Sequence, residues 1–212
     1  MDAGFWIQRW RKSEIGFLEG KANALLVKHF KDMLGKQGDR VFVPLCGKTR
    51  DLGWLLSQGY RVAGAELSET AIKQLFAELG VEPEISELGN LTLFSAFDID
   101  IFVGDIFDLS ASALGQVDVI YDRAALVALP EAMRRRYADH LMQITATAPQ
   151  FLITFEYDQT RMDGPPFSVT GGEVARCYGD RYALTRAACV DVAGGLKGKC
   201  AATENVWILR TD

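Results

Sequence analysis

Three acidic positions fall where apolar runs end. Glu66 closes Arg61 to Ala65, Asp105 follows Ile99 to Val103, and the Asp122-Arg123 pair follows Val117 to Tyr121. In an open parallel sheet a ligand lies outside the carboxyl ends of the strands, so these are the residues placed to do chemistry. Glu66 stands about twenty positions after Leu45, the spacing at which a carboxylate can accept both hydroxyls of a ribose. The same carboxylate could serve instead as a helix-start acid at the Ser68 turn, and on spacing alone the two readings stand level. Asp105 precedes Ile106 and Phe107, an acid-apolar combination suited to the exocyclic amine and ring face of an adenine, and equally suited to a turn or cap. Asp122-Arg123 puts an ion pair at the next strand end, where its location favours a site over a purely structural role.

The turn Pro44-Leu45-Cys46-Gly47-Lys48-Thr49 contains one glycine, too few for the triple-glycine dinucleotide fingerprint. Gly47-Lys48-Thr49 resembles the end of a phosphate-binding loop, but Phe42 stands where that loop needs its first glycine, which excludes a nucleoside triphosphate. Taken together, the strand ends suit a cofactor with ribose and adenine but no pyrophosphate. That points to S-adenosyl-L-methionine. A nicotinamide-dependent oxidoreductase is the alternative from another class, because its ribose acid would occupy the position of Glu66.

Charge and composition narrow the partners. The net charge is −5 and no basic stretch stands out, so nucleic acid is not expected. Arg134-Arg135-Arg136, beside Glu131 and Asp139, reads as a solvated helix face. The four cysteines, Cys46, Cys177, Cys189 and Cys200, have neither zinc-site spacing nor the density of a disulfide framework, so no metal and a reducing, cytoplasmic setting are expected. The N-terminus lacks the pattern of an export signal, and no apolar run approaches about 20 residues, so neither export nor membrane insertion is expected. His29 and His140, the two histidines, lie in helical patterns away from the strand ends and receive no catalytic role. No heptad seam stands apart from the core pattern, and a monomer is expected.

The elements that must position these residues follow from periodicity. Phe5 to Leu34 reads as two helices with a break near Gly16 and Gly20. Strands are expected at Val41 to Leu45, Arg61 to Ala65, Ile99 to Val103, Val117 to Tyr121 and Gln150 to Glu156. Helices are expected at Asp51 to Gln58, Ser68 to Leu79 and Pro130 to Thr145, with Ser68 as N-cap. Alternation of this kind gives a parallel core of about five strands. Tyr182 to Ala188 and Asn205 to Arg210 suit antiparallel strands at its edge. Residues 82 to 95 read as a flexible insertion, and Tyr157 to Gly172 as a long loop of the lid or substrate-wall kind. The expected architecture is a Rossmann-like α/β fold with a mostly parallel seven-stranded sheet, an antiparallel C-terminal edge and helices on both faces. It forms one domain over 1–212, with residues 1–35 as a helical cover over the active site.

Several motifs occur in order along nearly the whole chain: Trp6-Ile7-Gln8-Arg9-Trp10 with Gly16-Phe17, Val41-Phe42-Val43-Pro44-Leu45-Cys46-Gly47-Lys48, Gly64-Ala65-Glu66-Leu67-Ser68, Asp122-Arg123-Ala124-Ala125-Leu126-Val127-Ala128, and Gly164-Pro165-Pro166-Phe167. Ile106-Phe107-Asp108-Leu109 and Tyr137-Ala138-Asp139 add to them. In these the chain resembles the thiopurine S-methyltransferases, a class I S-adenosylmethionine-dependent family. The resemblance implies S-methylation of aromatic and heterocyclic thiols, with selenium or tellurium metabolites as alternative acceptors in a detoxifying role. It implies cofactor contacts at Trp10, Leu45, Glu66, Asp105, Ile106 and Arg123, with Phe17 over the substrate and Pro166 in the substrate wall. Arg123, if it faces the acceptor, could stabilise a thiolate. Two positions depart from the family's pattern. Leu18 stands where the family usually has His after the Phe, and Ala124 stands where it usually has Gly after Asp-Arg.

Overall fold

The computed structural model describes residues 3–12, 20–33 and 36–211. The chain divides into two compact units, 1–119 and 120–212.

In the first unit, helices α1 (Ala3–Arg11) and α2 (Ala24–Met33) are the two expected from the N-terminal pattern. They are followed by β1 (Arg40–Pro44), α3 (Arg50–Ser57), β2 (Arg61–Glu66) and α4 (Glu69–Leu79), then β3 (Glu84–Leu88), β4 (Leu91–Ala96), β5 (Ile99–Val103) and the short α5 (Ala111–Leu114). The strand order is β3-β4-β5-β2-β1. The β1·β2 and β2·β5 pairs are parallel, with Val43 opposite Gly64 and Glu66 opposite Val103. β1 and β2 are buried at all but their first residues, which explains runs without polar alternation. The helix punctuation is local chemistry. The Ser68 hydroxyl accepts from the Ala71 N–H as N-cap of α4, Gly80 closes that helix in the left-handed conformation, and Thr49 caps α3. Asn23 caps α2 by accepting from the Leu25 and Leu26 N–H groups. Its own N–H donates to the buried Asp51 of α3 at 2.7 Å.

Residues 84–96 correct the reading of 82 to 95 as a flexible insertion: β3 and β4 form an antiparallel hairpin in which Leu88 pairs with Leu91 across Gly89-Asn90. A Gly-Asn pair between alternating segments is a two-residue hairpin signal, and it outweighs the polarity of the segment. With this hairpin the described residues hold nine strands, two more than the seven expected.

In the second unit β6 (Val119–Arg123) pairs in parallel with β7 (Gln150–Tyr157). β9 (Ala202–Arg210) lies antiparallel to β7, and β8 (Ala183–Asp191) antiparallel to β9, giving the expected antiparallel C-terminal edge. Helices α6 (Glu131–Ile144) and α7 (Gly171–Tyr178) complete this unit. The three-arginine run is not a uniformly solvated face. Arg134 is only 4% exposed, and its guanidinium meets Glu173 of α7 at 2.5 Å and donates to the Leu129 and Ser168 carbonyls. A charge removed from water needs that full set of partners. Among the described residues no helix is long and apolar enough to cross a membrane.

Gly104, where β5 leaves the sheet, has φ +144°, and a Cβ there would stand 2.5 Å from a Leu91 side-chain carbon and 3.2 Å from the Asn90 carbonyl oxygen. Its N–H donates to the Glu66 carbonyl at 2.9 Å, tying the end of β5 to the end of β2. Gly104→Ala should therefore lower stability by about 1–3 kcal/mol in urea unfolding; an unchanged midpoint would contradict this account of the β5 terminus.

Candidate active site

In the first unit the ends of β1, β2 and β5 meet on one edge. Glu66, the last residue of β2, is 7% exposed, and each of its carboxylate oxygens accepts a backbone N–H. Oε2 accepts from Gly47 at 2.9 Å and Oε1 from Ser68 at 2.8 Å. Burial raises its pKa, while the Ser68, Gly47 and Leu67 N–H groups oppose that rise by favouring the carboxylate. Glu66 thus anchors the Ser68 turn, the helix-start reading, and each oxygen keeps a further lone pair.

The turn after β1 is shaped to meet it. Leu45 has φ +47° and Gly47 φ +53°, so the chain bends back and presents the Gly47 N–H to Glu66. The buried indole of Trp10, from α1, lies over this bend; a Cβ on Gly47 would stand 3.2 Å from its Cζ2. Lys48 is drawn away to Glu78 of α4 at 2.6 Å, in keeping with a turn that is no phosphate cradle. Beneath the turn the Cys46 thiol is buried, and its pKa is pushed well up by burial and by the charge of Glu66, so it is inert as a nucleophile.

Asp105 is exposed at the end of β5, and its Oδ1 accepts from the Phe107 N–H at 3.0 Å, the cap role foreseen as its simpler reading. Ile106, beside it, is buried. Trp10, Leu45, Glu66, Asp105 and Ile106 therefore lie on α1 and at the ends of three strands of one unit. These residues fit a ribose and adenine. A deeply buried carboxylate with free lone pairs suits two hydroxyls, and an exposed carboxylate beside an apolar residue suits an amine on a flat ring. Phe17 and Leu18 lie outside the described residues.

The second unit carries Asp122 and Arg123 at the end of β6. The ion pair expected between them is replaced by other bonds. Successive residues of a strand point to opposite faces, and Asp122 points inward, fully buried. Its Oδ1 accepts from the Leu126 N–H at 3.1 Å, and its Oδ2 from the Tyr137 hydroxyl of α6 at 2.8 Å. Between these anchors Ala124 has φ +64°, the left-handed conformation that glycine adopts freely and that costs a side-chain residue about 1–2 kcal/mol. The family's usual glycine thus has a conformational reason, and Ala124 meets the same geometry under strain. Val127, just beyond, accepts at its carbonyl from the Phe167 N–H at 2.6 Å, so the Pro165-Pro166 segment is attached to the Arg123 turn. The Pro166 carbonyl in turn accepts from the Tyr157 hydroxyl at 2.7 Å. Arg134 lies over the Phe167 ring, its guanidinium carbon 5.5 Å from the centroid. Tyr137 carries no role in the sequence reading and Arg134 reads there as solvated, because polar tips on the buried face of a helix look the same as solvated ones until the helix is placed.

Among the described residues no group of three or more His, Cys, Asp or Glu side chains is arranged to hold a metal ion. Burial pushes the Asp122 carboxyl up to about 6 from 3.8, and its N–H and hydroxyl donors only partly oppose the shift. A raised acid pKa means that the folded chain holds its proton more tightly than the unfolded chain. The stability linked to Asp122 is therefore fully present below about pH 4 and is lost as pH rises through about 6, a swing of about 3 kcal/mol. The urea midpoint of wild type relative to Asp122→Asn should fall across pH 4 to 6.5, and a pH-independent difference would contradict the burial described.

The whole chain can now be set against known proteins. Residues 1–211 match the family model for thiopurine S-methyltransferase. The thiopurine S-methyltransferase of Xanthobacter autotrophicus is 57% identical over 210 residues, covering 99% of each chain. That of Teredinibacter turnerae is 54% identical over 209 residues, covering 99% of this chain and 97% of its own. Solved structures agree at the level of the fold. A 1,6-didemethyltoxoflavin N1-methyltransferase from Burkholderia thailandensis, solved with S-adenosylhomocysteine, superposes with a TM-score of 0.66 at 15% identity, over 99% of this chain and 87% of that one. A TehB-like S-adenosylmethionine-dependent methyltransferase from Corynebacterium glutamicum gives 0.60 at 15% identity, over 99% of this chain and 98% of that one. The α/β architecture is that of the S-adenosylmethionine-dependent methyltransferases, and with more than half its residues identical to a full-length relative the chain belongs to the thiopurine S-methyltransferase family.

Proposed function

We propose that this chain methylates the sulfur of aromatic and heterocyclic thiols, thiopurines among them, using S-adenosyl-L-methionine, and that residues 1–212 act as one cytoplasmic, monomeric methyltransferase domain. The observation that supports it best is the buried Glu66 carboxylate, held by the Gly47 and Ser68 N–H groups beneath Trp10. Membership of a methyltransferase family leaves no reason to keep the nicotinamide alternative, which rested on the position of Glu66 alone.

When bound, S-adenosylmethionine supplies an electrophilic methyl group on a sulfonium, open to in-line attack by a thiolate. In this reading Glu66 accepts the two ribose hydroxyls with the lone pairs left by its backbone bonds. Asp105 accepts from the exocyclic amine of adenine, and Ile106 packs on the ring. Leu45 and the Trp10 indole border the remaining part of the cofactor, where an aromatic face near a cation contributes about 0.5–2 kcal/mol. Residues 1–35 then serve as a cover.

On the acceptor side, Arg123 holds the thiolate and orients the ring through its guanidinium, Pro166 supplies part of the wall, and Phe17 is the aromatic residue that the family resemblance assigns to the substrate. Aromatic heterocyclic thiols ionise more readily than aliphatic ones, so no side chain needs to act as base, in keeping with Leu18 where the family usually has His. Alignment and exclusion of water then supply much of the rate. A soft nucleophile is common to thiols and to reduced selenium or tellurium species, which makes those species a second acceptor class.

Transfer of a labelled methyl group to a panel of thiopurines, aliphatic thiols, catechols and chalcogen compounds tests the reading. Label should appear first on the aromatic thiols, and failure across the panel would refute the assignment. Glu66→Gln should weaken S-adenosylhomocysteine binding by about 10–100-fold in calorimetry, because one backbone N–H would then face an amide donor. Arg123→Ala should cut turnover of an aromatic thiol by about 100-fold or more; near-normal turnover would remove Arg123 from the acceptor site.

A further inference from the structure

Arg123 stands between β6 and the turn that follows it, and that turn is held from underneath. The Asp122 carboxylate takes one hydrogen bond from Leu126 N–H, three residues beyond Arg123, and a second from the Tyr137 hydroxyl on α6. The first bond closes a ring around Arg123, Ala124 and Ala125, with Ala124 held at φ +64°. The second attaches that ring to a rigid helix, since Tyr137 is fully buried midway along α6. The turn then continues into Leu126–Ala128, whose Val127 carbonyl carries Phe167 and with it Pro166. Both acceptor-side residues of this unit, Arg123 and Pro166, are therefore reached through the same carboxylate.

We propose that Asp122 and Tyr137 are positioning residues: their hydrogen bond sets the turn that places Arg123 and the Pro166 segment, and so governs turnover without touching the substrate. The proposal rests on the assignment of Arg123 to the acceptor made above. A strained left-handed residue persists only where its surroundings over-determine it, and here they include this carboxylate, the Leu126 and Ala125 N–H groups and the Tyr137 hydroxyl. Tyr178 of α7 lies near enough to Asp122 to feel its charge, but among the described residues its buried hydroxyl makes no hydrogen bond, so the bond to α6 is made by Tyr137. Without the Tyr137 hydroxyl, Asp122 keeps only the backbone donors of its own turn, Leu126 and Ala125, and loses its attachment to α6.

The test is a double-mutant cycle on the full chain, with turnover of an aromatic thiol measured for wild type, Tyr137→Phe, Arg123→Lys and the double variant, and folding checked by thermal melting. Tyr137→Phe should lower kcat by about 5–20-fold with the KM for S-adenosylmethionine changed less than about twofold, values within the range of one lost charge-assisted hydrogen bond. In the Arg123→Lys background the same change should cost less than about twofold, because the group being positioned is already replaced. Equal slowing in both backgrounds, or no slowing in either, would overturn the proposal. If Tyr137→Phe melts below the assay temperature, Asp122→Asn takes its place in the cycle, with the same two outcomes. Full turnover in Arg123→Ala would instead refute the acceptor role of Arg123, so the two failures can be told apart.

Discussion

A carboxylate that loses nearly all its water must find hydrogen-bond donors or give up its charge. Glu66 finds them on two separate turns, the Gly47 N–H after β1 and the Ser68 N–H after β2. That one requirement organises the edge of the first unit. Gly47 can reach Glu66 only because the chain turns left-handed at Leu45 and again at Gly47, and the bend leaves a flat, side-chain-free surface on which Trp10 rests. Ser68, held on its other side, goes on to cap α4. A ligand that bonds to Glu66 thus meets a group already fixed in place, and little orientation has to be frozen on binding.

The second unit repeats the device. Asp122 is again a buried acid at a strand end, again accepts a backbone N–H from the turn that follows, and again stands beside a non-glycine residue in the left-handed region, Ala124. The difference lies in the second donor. Glu66 uses backbone for both oxygens, whereas Asp122 uses a tyrosine from a distant helix. Backbone donors survive any substitution except proline, while a side-chain donor makes the turn sensitive to a single residue. The Phe167 N–H on the Val127 carbonyl extends that sensitivity to the loop.

Much of this arrangement was legible in the sequence, and the reasons are specific. The strands and helices around Glu66, Asp105 and Arg123 carry long apolar runs with recognisable caps, so their order and the acidic strand ends could be read directly. Ser68 as N-cap and the antiparallel pair at the C-terminus appear where expected. The hairpin at 84–96 was missed because its outer strand is exposed throughout, and an exposed strand bearing Glu84 and Glu87 has the composition of a loop. The acids keep that edge from pairing with other chains. The burial of Arg134 and the bonds of Asp122 depend on which face of α6 meets β6 and α7, a tertiary fact that a single helical pattern does not contain. Polar groups on buried faces are where local pattern and final structure part company.

In the proposed function the Glu66 bridge between the two turns is the floor of the cofactor site. The most direct test is a titration of the ¹⁵N-labelled chain with S-adenosylhomocysteine, followed through the backbone amide resonances. The Gly47 and Ser68 amides, whose protons lie on the Glu66 oxygens, should shift saturably together with Phe107, whose amide lies on Asp105. Saturable binding that left Gly47 and Ser68 unmoved would place the cofactor elsewhere and contradict the account.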